Sequence, residues 1–115
     1  MALPKFLDDE AFRSLRAGDM TAYHQIIESR EVVDFSSADL RAVDLRHADI
    51  SKMVLRGAYL RDADLRGLDL RGIDLEGCTM FNAKISGTFF PPELSPQELR
   101  NSIDYGTRIR MNGLG

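Results

Sequence analysis

From Val33 onward, large apolar residues recur at every fifth position: Phe35, Leu40, Leu45, Ile50, Leu55, Leu60, Leu65, Leu70, Leu75, Met80, Ile85 and Phe90. Two residues before each stands a second series of mostly small or apolar side chains: Val33, Ala38, Val43, Ala48, Met53, Ala58, Ala63, Leu68, Ile73, Cys78, Ala83 and Thr88. A helix advances about 100° per residue, so a step of five turns the apolar position by roughly 140° and scatters it around the axis. A flat strand alternates faces with a period of two, so an odd step throws successive leucines onto opposite sides. The pattern is satisfied by a short extended stretch, apolar then polar then apolar as in Ala38-Asp39-Leu40, followed by a turn that redirects the chain and keeps each apolar pair inward. Each five-residue unit then forms one side of a coil. Glycine recurs in the turn, at Gly57, Gly67, Gly72, Gly77 and Gly87, where a tight bend accepts it best.

The units SADLR, DADLR, GLDLR and GIDLE resemble the A-(D/N)-L-x-x consensus of the pentapeptide-repeat family, in an unbroken register over residues 33 to 92. That resemblance implies a β-solenoid, a right-handed quadrilateral β-helix in which four repeats close one turn. Twelve units then make about three coils, and the central residues stack as Phe35/Leu55/Leu75, Leu40/Leu60/Met80, Leu45/Leu65/Ile85 and Ile50/Leu70/Phe90. Coils at the strand spacing of about 4.8 Å give a body only about 14 Å long. The sequence departs from the consensus at Val54 and Tyr59, where an aspartate is usual, and in the units CTMFN and AKISG near the end.

So short a stack leaves unpaired strand edges at both ends, which invite end-to-end association unless something covers them. The flanks read as those covers, giving three segments: an N-terminal helical cap over residues 1–31, the β-helix over 32–92, and a C-terminal helix and tail over 93–115. Asp8 or Asp9 starts a helix bearing Phe12 and Leu15 that ends near Gly18, and Asp19 starts a second bearing Tyr23, Ile26 and Ile27. Leu94-Ser95-Pro96-Gln97-Glu98-Leu99 predicts a helix from Pro96, with Ser95 as N-cap and Glu98 closing a capping box. That helix offers Leu99, Ile103, Tyr105 and Ile109 as apolar contacts.

Composition narrows the function. The 115 residues are 43% hydrophobic and 29% charged, with a net charge of -3, which fits one globular domain and leaves no basic footprint for nucleic acid or a membrane surface. No apolar leader or membrane-spanning run is apparent, so a cytoplasmic protein is expected. A single cysteine, Cys78, excludes a disulfide framework and a cysteine-rich zinc site, and its inward position makes it an inert thiol. His24 and His47 have no second histidine at ligand spacing and no nucleophile beside them. The recurring Asp before the central residue and Arg after it read as charge pairs on a solvated surface, not as a metal or catalytic array. No catalytic residue, cofactor or metal site is expected, and the protein is read as a non-enzyme.

Two binding functions remain. The first is a protein-interaction module or adaptor with an unidentified protein partner, whose candidate patch is Val54, Tyr59 and Phe81. The alternative ground for that patch is burial under the N-terminal hairpin. Phe81, Phe89, Leu99, Ile103 and Tyr105 are candidate contacts of the C-terminal helix with the last coil or with a second subunit, giving a homodimer through that end. The second function follows from the resemblance, because some family members mimic B-form DNA and act on DNA gyrase and related topoisomerases, giving quinolone resistance. Ten acidic and eight basic residues lie between Glu31 and Pro92, whereas duplex DNA carries about eight uncompensated charges over 14 Å. That mimicry is poor, so gyrase modulation stands as the runner-up.

Overall fold

The computed structural model describes residues 3–111. The outermost residues of the first and last segments, 1–2 and 112–115, lie outside the described residues. The elements are α1 (Glu10–Ala17), α2 (Met20–Ile27), β1 (Val33–Asp34), β2 (Met53–Val54) and α3 (Pro96–Tyr105). Each helix starts where a short polar side chain meets an orphan backbone amide: Asp9 accepts from Ala11 N–H, Asp19 from Ala22 N–H and Ser95 from Glu98 N–H. α1 and α3 both stop at a glycine in the left-handed region, Gly18 and Gly106, where a Cβ would be strained.

Between α2 and α3 the chain repeats one local conformation. From Phe35 to Ile85 the carbonyl of each central residue accepts from the amide three residues on, as in Ala38 to Phe35 and Leu68 to Leu65. The residue two after the center has a positive φ at Gly57, Gly67, Gly72, Gly77 and Gly87, and also at Ser37, Ala42, Asp62 and Asn82. These are turns of the kind that need a left-handed third residue. The aspartate before the center braces the same turn. Its carboxylate accepts from the amide two residues ahead at Asp34, Asp39, Asp44, Asp49, Asp64, Asp69 and Asp74, the short-range bond that makes aspartate a turn residue.

Successive turns bring residues twenty apart, four units, into parallel register. β1 pairs with β2 through Val33 and Met53, and isolated bridges join Asp39 to Tyr59, Asp44 to Asp64, Tyr59 to Thr79, Asp64 to Lys84 and Asp69 to Phe89. Inside, Phe35, Leu40, Leu45, Leu55, Leu60, Leu65, Leu70, Leu75 and Met80 are fully buried, while Ile85 and Phe90, in the last units, are half-buried. The ladder is interrupted in two places. No backbone hydrogen bond crosses from Ala48–Ile50 to Leu68–Leu70, nor from Met53–Leu55 to Ile73–Leu75. Leu68 and Ile73 stand at these two breaks.

Non-repeat chain meets both ends of the ladder. At one end Lys5 bridges Ala38, the Phe12 ring meets Phe35 edge to face at 5.8 Å, and Tyr23 donates its hydroxyl to the Asp49 carbonyl. At the other, Met80 N–H donates to Ser102 Oγ and Asn82 N–H to the Ile103 carbonyl. Beyond α3 the tail turns back and runs beside the repeats, where Ile109 both accepts from Gly77 N–H and donates to the Cys78 carbonyl. Backbone groups that an open edge would leave unpaired are thereby satisfied. Two expectations need correction here. Ile109 is not on the helix but in this paired tail, because Gly106 ends α3. Glu98 does not reach back to close a capping box, because the returning tail brings Arg110, whose backbone amide and guanidinium both bond its carboxylate at 2.9 Å.

Candidate functional site

The outer wall has a repeating electrostatic unit. Arg41, Arg46, Arg66 and Arg71 each donate through Nε and an Nη to both oxygens of the aspartate two residues earlier, at 2.6–3.0 Å. These forked bonds are the strong form of an ion pair. They hold Asp39, Asp44, Asp64 and Asp69 below the ordinary carboxylate range, Asp69 at about 2. Asp64 is also within 3.2 Å of Arg46 from the coil before, and its side chain is only 11% exposed.

Val54 and Tyr59 have no carboxylate to offer, and their arginines go elsewhere. Arg56 crosses to Asp74 at 2.8 Å. Arg61 keeps a contact of 3.6 Å with its neighbor Asp62 and lays its guanidinium over the Phe81 ring, 5.0 Å from the centroid. Tyr59 is covered by Arg108 from the C-terminal tail, which stacks 5.1 Å from the ring centroid and donates to Tyr59 Oη at 2.6 Å and to the Gly77 carbonyl at 2.9 Å. Tyr59, Phe81 and Tyr105 together with Arg41, Arg61 and Arg108 line an open groove of about 600 Å³, with Leu3 and Pro4 at its edge.

The other candidate residues, Tyr105 apart, lie outside this groove. Val54 is exposed on the neighboring side and does not line it. Phe89 is 56% exposed on the wall that carries Asp69, with Arg71 stacked on it at 4.9 Å. Leu99 and Ile103 join Ile85 and Pro96 in a smaller apolar groove of about 260 Å³. Tyr105 is 77% exposed at the rim of the Tyr59 groove. The N-terminal hairpin packs at the Phe35 end, and the Tyr59 ring has the tail beside it.

Residue-level reasoning on Tyr59 and Phe81 missed the arginines. Arg61 had a legible signal, since a tyrosine in the aspartate position strips the arginine two residues later of its partner. Arg108 had none, because it reaches Tyr59 only through the return of the tail after Gly106. The remaining reactive types have ordinary structural work. Cys78 is buried, its thiol pushed up to about 12 by loss of solvent, and it donates to the Leu55 carbonyl at 2.9 Å. His24 Nε2 accepts from Asp49 N–H. Among the described residues no group of three His, Cys, Asp or Glu side chains could hold a metal ion, and no helix is long and apolar enough to cross a membrane.

The turns recur in parallel register at a twenty-residue period, with inward leucines and outward aspartates, which marks the chain as a repeat protein built on a five-residue unit. The family model of pentapeptide repeats matches residues 38–77 and 58–90 with 8 copies, and the chain belongs to the pentapeptide-repeat family. Such repeats generally form right-handed β-helices and generally serve as non-catalytic structural or interaction modules. No curated protein and no solved structure matches the chain.

Proposed function

We propose that this protein is a non-enzymatic, cytoplasmic interaction module, an adaptor that presents a rigid repeat wall to another protein. In this reading residues 32–92 form a right-handed quadrilateral β-helix of about three coils, closed by the helical segment 1–31 at one end and by segment 93–115 at the other. The twenty-residue register, the backbone bonds made by Lys5, Ile103 and Ile109, and the Ser102 hydroxyl on Met80 N–H support that arrangement. The observation that carries the function is the break in the wall at Tyr59. There a paired Asp and Arg are replaced by aromatic rings and arginines around an open groove, a composition characteristic of protein-binding surfaces.

A homodimer through the C-terminal end belongs to the same reading. Exposed Phe89 and the apolar groove of Ile85, Leu99 and Ile103 lie at that end and are the surface a second copy would cover. Gyrase modulation by DNA mimicry is the weaker reading, since the wall aspartates that would stand for phosphates are largely neutralized by their own arginines.

The test has two arms. In a DNA gyrase supercoiling titration, with and without a quinolone, micromolar protein is expected to change nothing, and inhibition or protection would replace the adaptor reading with topoisomerase modulation. In affinity capture, immobilized wild-type protein is expected to retain a partner that Tyr59→Ser does not, both chains having the same circular dichroism. Equal retention by the two would overturn the assignment of the surface.

A further inference from the structure

We propose that the Tyr59 groove recognizes an acidic, extended segment of a partner protein, with Arg61 and Arg108 receiving its carboxylates. This rests on the interaction-module reading and assigns the chemistry of the partner. The argument begins with what each guanidinium has left to give. Arg41, on the rim, has both Nε and Nη2 committed to Asp39. Arg61 has only the 3.6 Å contact to Asp62, and Asp62 in turn takes the Asn82 amide at 2.6 Å. Arg108 donates to a hydroxyl and a carbonyl, neither of which bears a charge. The groove therefore has two cations without a forked carboxylate partner, on a chain whose net charge is -3.

Stacking makes these cations better receptors. A guanidinium laid on an aromatic face is held in its plane, and its outward N–H groups form a fork that matches a carboxylate with little further loss of side-chain freedom. Phe81 supports Arg61 in this way and Tyr59 supports Arg108. Tyr105, 77% exposed beside them, supplies apolar contact for residues between the carboxylates. The groove is open to solvent, a shape suited to an extended chain, not to an enclosed small molecule. Single-stranded nucleic acid fits less well, because bases need bare aromatic faces and the Phe81 and Tyr59 faces carry arginines.

The pair of Arg71 and Phe89 is the internal control. It has the same stacking, at 4.9 Å, but Asp69 already takes the Nε and Nη2 fork of its guanidinium, so it should attract no acidic ligand.

The experiment is fluorescence anisotropy of the full chain with a labeled hexapeptide of alternating glutamate and tyrosine, its glutamine counterpart, and a short oligothymidylate. The glutamate peptide is expected to bind, with affinity falling at least about tenfold in Arg61→Gln and in Arg108→Gln, the loss of one charge-assisted bond, and unchanged in Arg71→Gln. Backbone amide shifts in the wild-type protein should move at Thr79, Phe81 and Tyr105, a readout that needs no variant. Equal binding of the glutamine peptide, or tighter binding of the oligothymidylate, would overturn the proposal. If the acidic peptide fails while Tyr59→Ser still abolishes partner capture, the acidic assignment alone falls. If both fail, the interaction-module reading falls with it.

Discussion

The units around Leu70 and Leu60 both bury their central leucine and have opposite exteriors. Around Leu70, Asp69 and Arg71 close on each other through two bonds, and the aspartate also braces the turn through Arg71 N–H. Around Leu60, Tyr59 stands in the aspartate position, Arg61 lies on Phe81, and a residue from 49 positions away, Arg108, completes the surface. Both leucines are buried, at 1% and 0% exposure. The residue before the central leucine therefore changes what the wall presents while the leucine itself stays buried. In a repeat protein, where each unit contacts mainly its neighbors in the stack, such a change stays local.

The largest expected effect tests whether the two central leucines are equally well packed. Leu60→Ala and Leu70→Ala should each lower stability by about 2–5 kcal/mol, measured by urea unfolding. If Leu60→Ala cost much less, the Tyr59 unit would be a weak point in the stack and its different exterior a sign of loose packing, not of a binding surface.

A smaller effect separates buried from exposed charge pairs. Asp64 has two arginines and a nearly buried side chain, whereas the Asp69 side chain is 53% exposed. Asp64→Asn is expected to lower the melting temperature more than Asp69→Asn, since exposed pairs contribute little. Acid has the same sign. Both carboxylates have folded values below the ordinary 3.8, so their contribution is full above that value and is lost as the folded form takes up protons. For Asp69 the loss falls between about pH 4 and pH 2. Melting temperatures should drop over that range in the wild type and drop less in Asp64→Asn, and equal acid sensitivity would show that the wall pairs are not what acid breaks.

Restoring the regular unit tests the exterior directly. Tyr59→Asp should return Arg61 to a forked pair like that of Arg66, leave stability within about 1 kcal/mol, and remove partner binding. Retained binding would shift the site away from Tyr59. The smallest effect concerns the turns: Ala42 holds φ at 64° where five other units have glycine. Ala42→Gly should raise stability by about 0.5 kcal/mol, the relief of left-handed strain exceeding the entropy that glycine loses.

The sequence by itself determined the repeat, its register and the inward residues, because a period of five is incompatible with a helix or flat strand and leaves few ways to bury every leucine. It also determined the helix starts, since Asp9, Asp19 and Ser95 act on amides two or three residues away, and the break at Tyr59, which is visible as a departure from a regular pattern. The tertiary structure decided what short-range rules do not reach. Gly106 ends α3 and turns the tail back, so Ile109 pairs with the repeats, Arg110 draws Glu98 away from its own helix end, and Arg108 comes to lie on Tyr59. Each depends on bringing residues from 12 to 49 positions apart into contact. Such contacts arise only once the stack has formed and presents an edge to be satisfied, which is why the groove's aromatic half could be read along the chain and its second cation could not.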